Sequence, residues 1–202
     1  MKFKNPFDHG YYNTKQLRQM GFKHVGNNVQ IAKNCTIIGL ENISFGDNIR
    51  VDVGVTLLCA SGYLKVGSYN HISGGCFLNC AGGIELSDFV GLSQGVRIFS
   101  SSDDYSGESL TNPTVPKKYL KVDIGPVFFG RHVIIGIGSI ILPGVTIGNG
   151  SSVGTMSLVN KSIEEFGVYV GIPARKVNTR KKKFIEQEKL LLSERKSSLP
   201  KL

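Results

Sequence analysis

The chain has 202 residues, a hydrophobic fraction of 41% and a formal net charge of +9 at pH 7. This composition is typical of one globular domain with a buried core, and no apolar run approaches the roughly 18 residues that a membrane span requires. The residues that follow Met1 contain no apolar segment of the secretory type, so the sequence predicts a cytoplasmic protein.

The N-terminal segment, residues 1–24, predicts a short helical cap. Asn13 is a suitable N-cap, the residues up to Met20 favour a helix of two turns, and Gly21 follows at the C′ position. We expect this segment to cover the first turn of the repeat that follows it.

Aliphatic residues recur at every sixth position in the rest of the chain. A helix gives apolar spacings of three and four and a strand gives a spacing of two, so this register indicates a repeat architecture. The spacing is uninterrupted at Phe129, Ile135, Ile141, Ile147, Val153 and Val159. Four earlier triplets keep it, separated by small insertions: Val25, Ile31 and Ile37; Phe45, Val51 and Leu57; Val66, Ile72 and Leu78; Leu86, Leu92 and Ile98.

Such a register predicts a parallel β-helix of triangular section, in which three hexapeptides form one coil. The repeat residue of each hexapeptide points inward and stacks on the same residue of the next coil, while glycine and asparagine occupy the corners. We count about six coils in the predicted β-helix domain, residues 25–177.

The four cysteines lack the paired spacing of a zinc site. We interpret them as small buried residues of a reduced protein. The alternative is a zinc site at Cys76 and Cys80. They are Cys35, Cys59, Cys76 and Cys80.

The register stops between Ile98 and Phe129. Residues 100–121 form a polar and acidic excursion, and a long structureless loop in a compact fold usually serves function. We therefore expect the chemistry of the protein at this loop, which contains Asp103, Asp104, Tyr105 and Glu108.

A basic tail, residues 178–202, follows the repeat. Its cationic cluster either attracts a ligand with phosphate groups or is merely solvated surface, and no nucleic acid is expected because aromatic platforms are absent. The segment from Phe184 to Leu192 has an apolar stripe and predicts a terminal helix. The cluster consists of Arg175, Lys176, Arg180, Lys181, Lys182 and Lys183.

Two segments of the repeat stand out, VIIGIGSIILPGVTIG at residues 133–148 and GIPARKV at residues 171–177. They resemble the hexapeptide-repeat acyltransferases, above all bacterial sugar acetyltransferases of the maltose, galactoside and O-antigen type. The resemblance implies an all-β, left-handed parallel β-helix that transfers an acetyl group from acetyl-CoA to a hydroxyl or amino group of a sugar or nucleotide-sugar. It also implies a homotrimer with active sites between subunits, and no bound metal.

The resemblance also gives the acidic loop residues a catalytic role. In the related enzymes this loop carries the catalytic histidine, and an ungapped alignment puts Asp103 in its place. An ordinary aspartate pKa of about 3.9 is low for deprotonating an alcohol, although burial or the like charge of Asp104 would raise it. Either one of the two is a base, or the pair holds an amine that needs little activation, or both are exposed acids that bind water.

His71 is the second candidate for the base. It corresponds to an aromatic position that faces the acceptor in the family, where Ser73 would replace an acceptor-contacting asparagine. In a trimer this face meets the neighbouring subunit's loop, so Asp103 or Asp104 would orient His71; a corner histidine that merely packs is the alternative. The other expected acceptor contacts are Tyr105 and Glu108.

The coenzyme A contacts are implied in the same way. Arg175 falls where the family's proline-containing end motif places a basic residue on the cofactor. The family's second basic position is Asn178 here, so Arg180 would have to substitute. The remaining expected contacts are Gly136, Ile137, Thr155, Asn160 and Lys161.

The leading hypothesis is an acetyl-CoA-dependent sugar acetyltransferase of bacterial surface polysaccharide synthesis, in which the acceptor attacks the thioester directly. One alternative is a non-catalytic β-helix scaffold that has lost the base. Another is a β-helix hydratase of the carbonic-anhydrase kind, which would need three metal-binding histidines brought together at an interface.

Overall fold

The computed structural model describes residues 5–197, with side chains described up to residue 195. The predicted cap and tail extend beyond these residues at both ends, and those parts of the prediction lie outside the described chain. The described residues form two α-helices, α1 (Thr14–Leu17) and α2 (Lys183–Ser197). Single 3-10 turns lie at Leu40–Asn42 and Lys117–Tyr119. The strands are β1 (Tyr11–Tyr12), β2 (His24–Val25), β3 (Val29–Ala32), β4 (Thr36–Ile38), β5 (Ile43–Phe45), β6 (Ile49–Val51), β7 (Thr56–Leu58), β8 (Leu64–Val66), β9 (His71–Ile72), β10 (Phe77–Asn79), β11 (Ile84–Leu86), β12 (Gly91–Leu92), β13 (Arg97–Phe99), β14 (Ser101–Asp103), β15 (Val122–Ile124), β16 (Val127–Phe129), β17 (Ile134–Ile135), β18 (Ile140–Ile141), β19 (Thr146–Ile147), β20 (Ser152–Val153), β21 (Leu158–Val159), β22 (Gly167–Val170) and β23 (Arg175–Thr179).

Three of the sheets form the sides of a triangular prism, and β14 and β15 form a separate two-stranded sheet. Sheet A contains β1, β3, β6, β9, β12, β17, β20, β22 and β23; sheet B contains β2, β5, β8, β11, β16 and β19; sheet C contains β4, β7, β10, β13, β18 and β21. Each coil contributes one strand to each sheet, so six complete coils end at β21. A bridge at Ile163 and strand β22 begin a seventh coil. The left-handed β-helix is confirmed, with part of a coil more than the sequence predicts.

The predicted repeat residues form the core. Strand pairing stacks each of them on its counterpart one coil away, and every one except Ile37 is buried. Ile37 is partly exposed because β4 is the end strand of sheet C and no further strand pairs beneath it. One column, on sheet A, consists of Ile31, Val51, Ile72, Leu92, Ile135 and Val153. This continuous stacking of aliphatic side chains is the main favourable term for a solenoid fold.

The N-terminal cap covers the first coil as predicted, but its helix is shorter than expected. Asn13 Oδ1 accepts from Gln16 N (3.1 Å) while Gln16 Oε1 accepts from Asn13 N (3.0 Å), which is a complete capping box. The helix ends at Leu17, which is buried against the first coil. After one turn, Arg18 Nε donates to Val25 O (3.0 Å), so the next residues turn toward β2 instead of extending the helix.

The predicted excursion is present, and its base forms a short ribbon. After β13 the chain leaves the column through β14 and returns through β15, which pair antiparallel as a two-stranded ribbon. Near its far end, Leu110 N donates to Tyr119 O (2.9 Å). Backbone pairing satisfies polar groups that a loop would leave to water. The sequence predicts the excursion but not the strand pairing at its base.

Helix α2 packs along the corner between sheets A and B of its own chain. Phe89 and His132 stack there with ring centroids 4.8 Å apart, and Phe184 of α2 lies 4.8 Å from His132. Glu188 Oε2 lies 2.6 Å from His132 Nε2, and Glu188 also forms an ion pair with Arg131. The hydrogen bond from Arg131 outweighs partial burial and lowers the pKa of Glu188.

The cysteines are unpaired, three of them buried and Cys35 partly buried. Burial raises the pKa of the Cys76 thiol to about 11, so it is protonated at neutral pH. Within residues 5–197, no three His, Cys, Asp or Glu side chains are grouped so as to hold a metal ion. Neither α1 nor α2 has the length and hydrophobicity that a membrane-spanning helix requires.

Candidate functional site

A groove of about 640 Å³ lies between the β14–β15 ribbon and the outer face of sheet C. Asp103 at the end of β14 is its only carboxylate among the lining residues, and Tyr105 lies beside it with 93% of its surface exposed. Apolar side chains form most of the opposite wall: Phe99, Ile140, Leu142, Pro143 and Leu158. Apolar walls with a few polar groups are typical of ligand sites.

Asp104 is held within the excursion. Its Oδ1 accepts from Ser106 N (2.8 Å) and Ser106 Oγ (2.6 Å), and its Oδ2 accepts from Ser109 N (2.9 Å) and Ser109 Oγ (3.0 Å). The hydrogen bonds from Ser106 above all, then those from Ser109, hold the pKa of Asp104 far below its usual range. This geometry favours a structural role, because a carboxylate that is stabilised in its charged form accepts a proton poorly.

Glu108 lies further along the excursion and away from the groove lining. Its Oε2 accepts from Lys121 Nζ (3.1 Å), and both side chains are more than half exposed. Such a surface ion pair contributes little to stability. The structure therefore brings Asp103 and Tyr105 together at the groove, and Glu108 is not among the residues that line it.

His71 lies on the outer face of sheet A within a polar cluster. Its Nε2 is 2.7 Å from Asp52 Oδ2, one coil earlier. Asp52 Oδ1 accepts from Tyr11 Oη (2.8 Å) and from Arg50 Nε (2.7 Å). Partial burial disfavours the Asp52 carboxylate, but the hydrogen bonds from Arg50, His71 and Tyr11 outweigh it and lower the pKa of Asp52.

Ser73 lies in a ladder of polar residues at the edge of sheet A. The ladder consists of the residue that follows the inward-pointing residue of the strand on three successive coils, namely Asp52, Ser73 and Ser93. Ser73 is buried, and its backbone N donates to Leu92 O (2.9 Å). The ladder runs beside the His71 cluster, because Ser73 is two residues from His71 in the same coil.

His71 and Asp103 do not meet within one chain. His71 is on the outer face of sheet A, whereas Asp103 is on the ribbon that follows β13 of sheet C. Among the described residues no hydrogen bond or ion pair joins them. The predicted contact across subunits stays a prediction, while the partner of His71 within the chain is Asp52.

Three predicted coenzyme A contacts lie at the corner between sheets A and C. Gly136 and Ile137 follow β17, and Thr155 follows β20 one coil later. A Cβ atom on Gly136 would lie 2.5 Å from Thr155 N, so glycine is needed there for the two coils to approach. Ile137 is 51% exposed and is free to contact a ligand.

The other predicted contacts lie at the end of the prism. Asn160 and Lys161 follow β21 and are exposed. Arg175 begins β23, also exposed, next to Ala174, whose N donates to Leu158 O of β21 (2.8 Å). Asn160, Lys161 and Arg175 thus all lie next to β21, the last strand of sheet C.

Arg180 differs from the expected phosphate ligand. Its Nη1 donates to His132 O (2.6 Å) and Gly150 O (3.2 Å), and its guanidinium lies 4.7 Å from the ring centroid of Phe184. Burial lowers its pKa. The guanidinium thus ties α2 to the prism, which argues against Arg180 as a substitute for the basic residue missing at Asn178.

Sequence reasoning missed the partners of His71. Asp52, Tyr11 and Arg50 carry no motif, and Tyr11 comes from the cap, 41 residues before Asp52. The repeat register contains one usable signal, because it aligns Asp52 with Ser73 on the adjacent coil. When successive coils are aligned, the Asp52 carboxylate therefore lies beside the strand that carries His71.

Comparison with known proteins gives clear relatives, although no protein-family model matches the chain. It is 40% identical over 178 residues to a dTDP-4-amino-4,6-dideoxy-D-glucose acyltransferase of Escherichia coli, covering 88% of this chain and 93% of that protein. It is less similar to a maltose O-acetyltransferase of Clostridium difficile, with 26% identity and a TM-score of 0.56 over 83% of this chain and 74% of the other.

The N-acyltransferase AntD of Bacillus cereus is 40% identical to this chain. Its crystal structure with dTDP and 3-hydroxybutyryl-CoA gives a TM-score of 0.87 over 93% of this chain and 99% of AntD. Another AntD structure contains dTDP-4-amino-4,6-dideoxyglucose and coenzyme A. The AntD structures include variants in which one serine, or an aspartate ten positions later, is replaced.

Proposed function

Since the chain belongs to the hexapeptide-repeat sugar acyltransferases, we propose that it acetylates the amino group of a nucleotide-linked amino sugar. Membership of this family makes it an acyl-CoA-dependent enzyme and sets aside the scaffold and hydratase alternatives. One observation carries the choice of an amine: the ribbon presents the Asp103 carboxylate to the groove at the loop position where the related O-acetyltransferases have a histidine. A carboxylate accepts hydrogen bonds from a neutral amine, which is nucleophilic without prior deprotonation, whereas the ordinary pKa of an aspartate is low for deprotonating an alcohol.

The proposed reaction needs one attack and one proton transfer. Asp103 holds the acceptor amine, and His71 takes the proton that the nitrogen loses as it bonds to the thioester carbonyl carbon. The carbon–sulfur bond then breaks, and the coenzyme A thiolate receives that proton. The products are an amide on the sugar and free coenzyme A, and no covalent enzyme intermediate forms.

The relatives support this acceptor and this aspartate. Both 40% identical proteins act on or bind a dTDP-linked 4-amino-4,6-dideoxyglucose. The substituted serine and aspartate of AntD are ten positions apart, and this chain has Ser93 and Asp103 at the same spacing. Ser93 belongs to the polar ladder with Ser73. We expect the acylated sugar to serve bacterial surface polysaccharide synthesis in the cytoplasm, where acetyl-CoA is available; recovery of the enzyme in membrane fractions would contradict that location.

We propose a homotrimer in which the ribbon of one subunit covers sheet A of the next. Apolar side chains on both surfaces support this, because exposed apolar groups mark protein interfaces. On sheet A and its corner, Val53 and Ile134 are 55% and 44% exposed, and on the ribbon Ile124 is 64% exposed. Closed symmetry repeats the contact three times and creates three equivalent sites. A monomer of 22.0 kDa in sedimentation would contradict this arrangement.

The amine can be tested with two matched acceptors. The purified full chain is incubated with acetyl-CoA and either dTDP-4-amino-4,6-dideoxyglucose or dTDP-6-deoxyglucose, which has a hydroxyl at the same carbon. We expect thiol release with the amine and a rate lower by about 10²-fold or more with the hydroxyl, since the latter needs a stronger base. Equal rates, or a preference for the hydroxyl, would contradict the proposal.

Arg175 is expected to bind a coenzyme A phosphate. Arg175→Ala should weaken coenzyme A binding by about 1–3 kcal/mol, the usual contribution of a charge-assisted hydrogen bond. Lys176→Ala is the matched control, because Lys176 Nζ already pairs with Glu164 Oε2 at 3.0 Å. Calorimetry measures both affinities, and an equal affinity for wild type and Arg175→Ala would show that this arginine is solvated surface.

A further inference from the structure

We propose that Asp52 is a positioning residue that fixes the ring orientation and tautomer of His71, so that Nδ1 of His71 is the atom that accepts the proton of the acceptor amine. This inference rests on the proposed function and extends it to a residue outside the acidic loop. The observation behind it is the 2.7 Å contact between Asp52 Oδ2 and His71 Nε2.

Asp52 is itself held by two further side chains. Its other oxygen, Oδ1, accepts from Tyr11 Oη and Arg50 Nε, and Arg50 Nη2 donates to the same Tyr11 hydroxyl (3.0 Å), which closes a ring of contacts. The Asp52 side chain is only 18% exposed, whereas the His71 side chain is 50% exposed. The carboxylate is thus the fixed member of the pair, and the imidazole is the member that a ligand can reach.

The contacts also decide which nitrogen of His71 carries the proton. An ionised carboxylate only accepts hydrogen bonds, so the nitrogen that faces it must be protonated. The lowered pKa of Asp52 keeps it ionised at neutral pH. Neutral His71 therefore has its hydrogen on Nε2 and a lone pair on Nδ1, and no other side chain among the described residues hydrogen-bonds to this ring. Charged or titratable neighbours on the packed elements are Arg50, Tyr11, Tyr69, His132 and Arg180.

Open space lies next to His71. Gly91 pairs with His71 one coil later, and both line a recess of about 320 Å³ with Ile134 on its far side. All 25 glycines lie in the described chain, and Gly91 alone has neither a positive φ nor a contact closer than 3.9 Å to an added Cβ atom. The backbone therefore does not need glycine at this position. Its lack of a side chain keeps the surface beside the imidazole open.

One proton moves from the acceptor amine to His71 and then to the coenzyme A thiolate. The amine nitrogen forms a bond to the thioester carbon and loses one proton, which His71 Nδ1 accepts. The imidazolium is stabilised by the Asp52 carboxylate at Nε2. When the carbon–sulfur bond breaks, the same proton passes from Nδ1 to the coenzyme A thiolate, and neutral His71 is restored with its original tautomer.

The test is Asp52→Asn in the full chain. Asparagine keeps the size of the side chain but can donate to Nε2, so the tautomer is no longer imposed, and we expect kcat to fall about 10- to 100-fold. Glu85→Gln is the matched control, because Glu85 is bonded to Tyr63 (3.0 Å) and Lys65 (3.8 Å) on sheet B, away from the cluster. The control should keep wild-type turnover.

Nitrogen NMR gives a readout that does not depend on turnover. Long-range ¹H–¹⁵N spectra at a pH where the ring is neutral should show wild-type His71 with a protonated Nε2, and Asp52→Asn with a mixed or inverted tautomer. His71→Ala identifies the signals. The same tautomer in both proteins, or full turnover in Asp52→Asn, would overturn the role of Asp52. A wild-type chain that acetylates no amino sugar would instead refute the proposed function, whatever the tautomer.

Discussion

Asp103→Asn is expected to lower turnover with the amino sugar by about 10²-fold or more while the fold stays intact. Asparagine keeps the size and shape of the side chain, so the groove is unchanged, but the charge that attracts and orients the acceptor amine is lost. Asp103 is exposed at the end of β14, and among the described residues no hydrogen bond to its carboxylate holds the ribbon together, so little stability is lost with it.

Asp123→Asn is the matched control. Asp123 is an exposed carboxylate on β15, directly opposite Ser102 in the same ribbon, and it does not line the groove. Steady-state kinetics should show the loss in Asp103→Asn alone, and calorimetry should show wild-type coenzyme A affinity in both variants. Near-normal turnover in Asp103→Asn would remove the carboxylate from the mechanism.

His71→Ala is expected to cause a comparable loss, because it removes the proposed proton acceptor. If His71 and Asp103 act on the same acceptor nitrogen, the double variant should be little slower than either single variant, since residues that act as a unit have non-additive effects. His132→Ala is an unsuitable control because His132 supports α2 through Glu188. His24→Ala is suitable, since His24 is exposed near the cap, on β2.

Mixing the two inactive variants tests whether the site joins two subunits. In a trimer built at random from His71→Ala and Asp103→Asn chains, some interfaces combine the intact His71 of one chain with the intact Asp103 of its neighbour. About a quarter of wild-type activity should return after the two are refolded together, as random assortment around a closed ring requires. No recovery from a confirmed mixed trimer would mean that both residues act within one chain, or that they do not share a site.

The stacking of the coils and several local hydrogen bonds follow from the amino-acid sequence, whereas the short α1 and the β14–β15 ribbon do not. The six-residue register predicts which side chains stack, because a β-helix repeats one contact between successive coils and so needs only a periodic signal. The capping box of Asn13 and Gln16 is likewise local, as are the bonds from Ser106 to Asp104, two residues apart. Interactions between residues this close in the sequence can be predicted from the spacing of residue types along the chain.

Which polar groups meet one another depends on the folded structure. Asp52 and His71 are 19 residues apart on adjacent coils, and corner insertions of varying length separate those coils, so the register alone does not say which outward side chains touch. Arg180 belongs to a basic cluster that suits phosphate, yet the docking of α2 directs its guanidinium to backbone carbonyls. An outward side chain has several partners within reach, and which one it contacts depends on the geometry of the folded surface, whereas an inward side chain is held in one column of the core by the repeat.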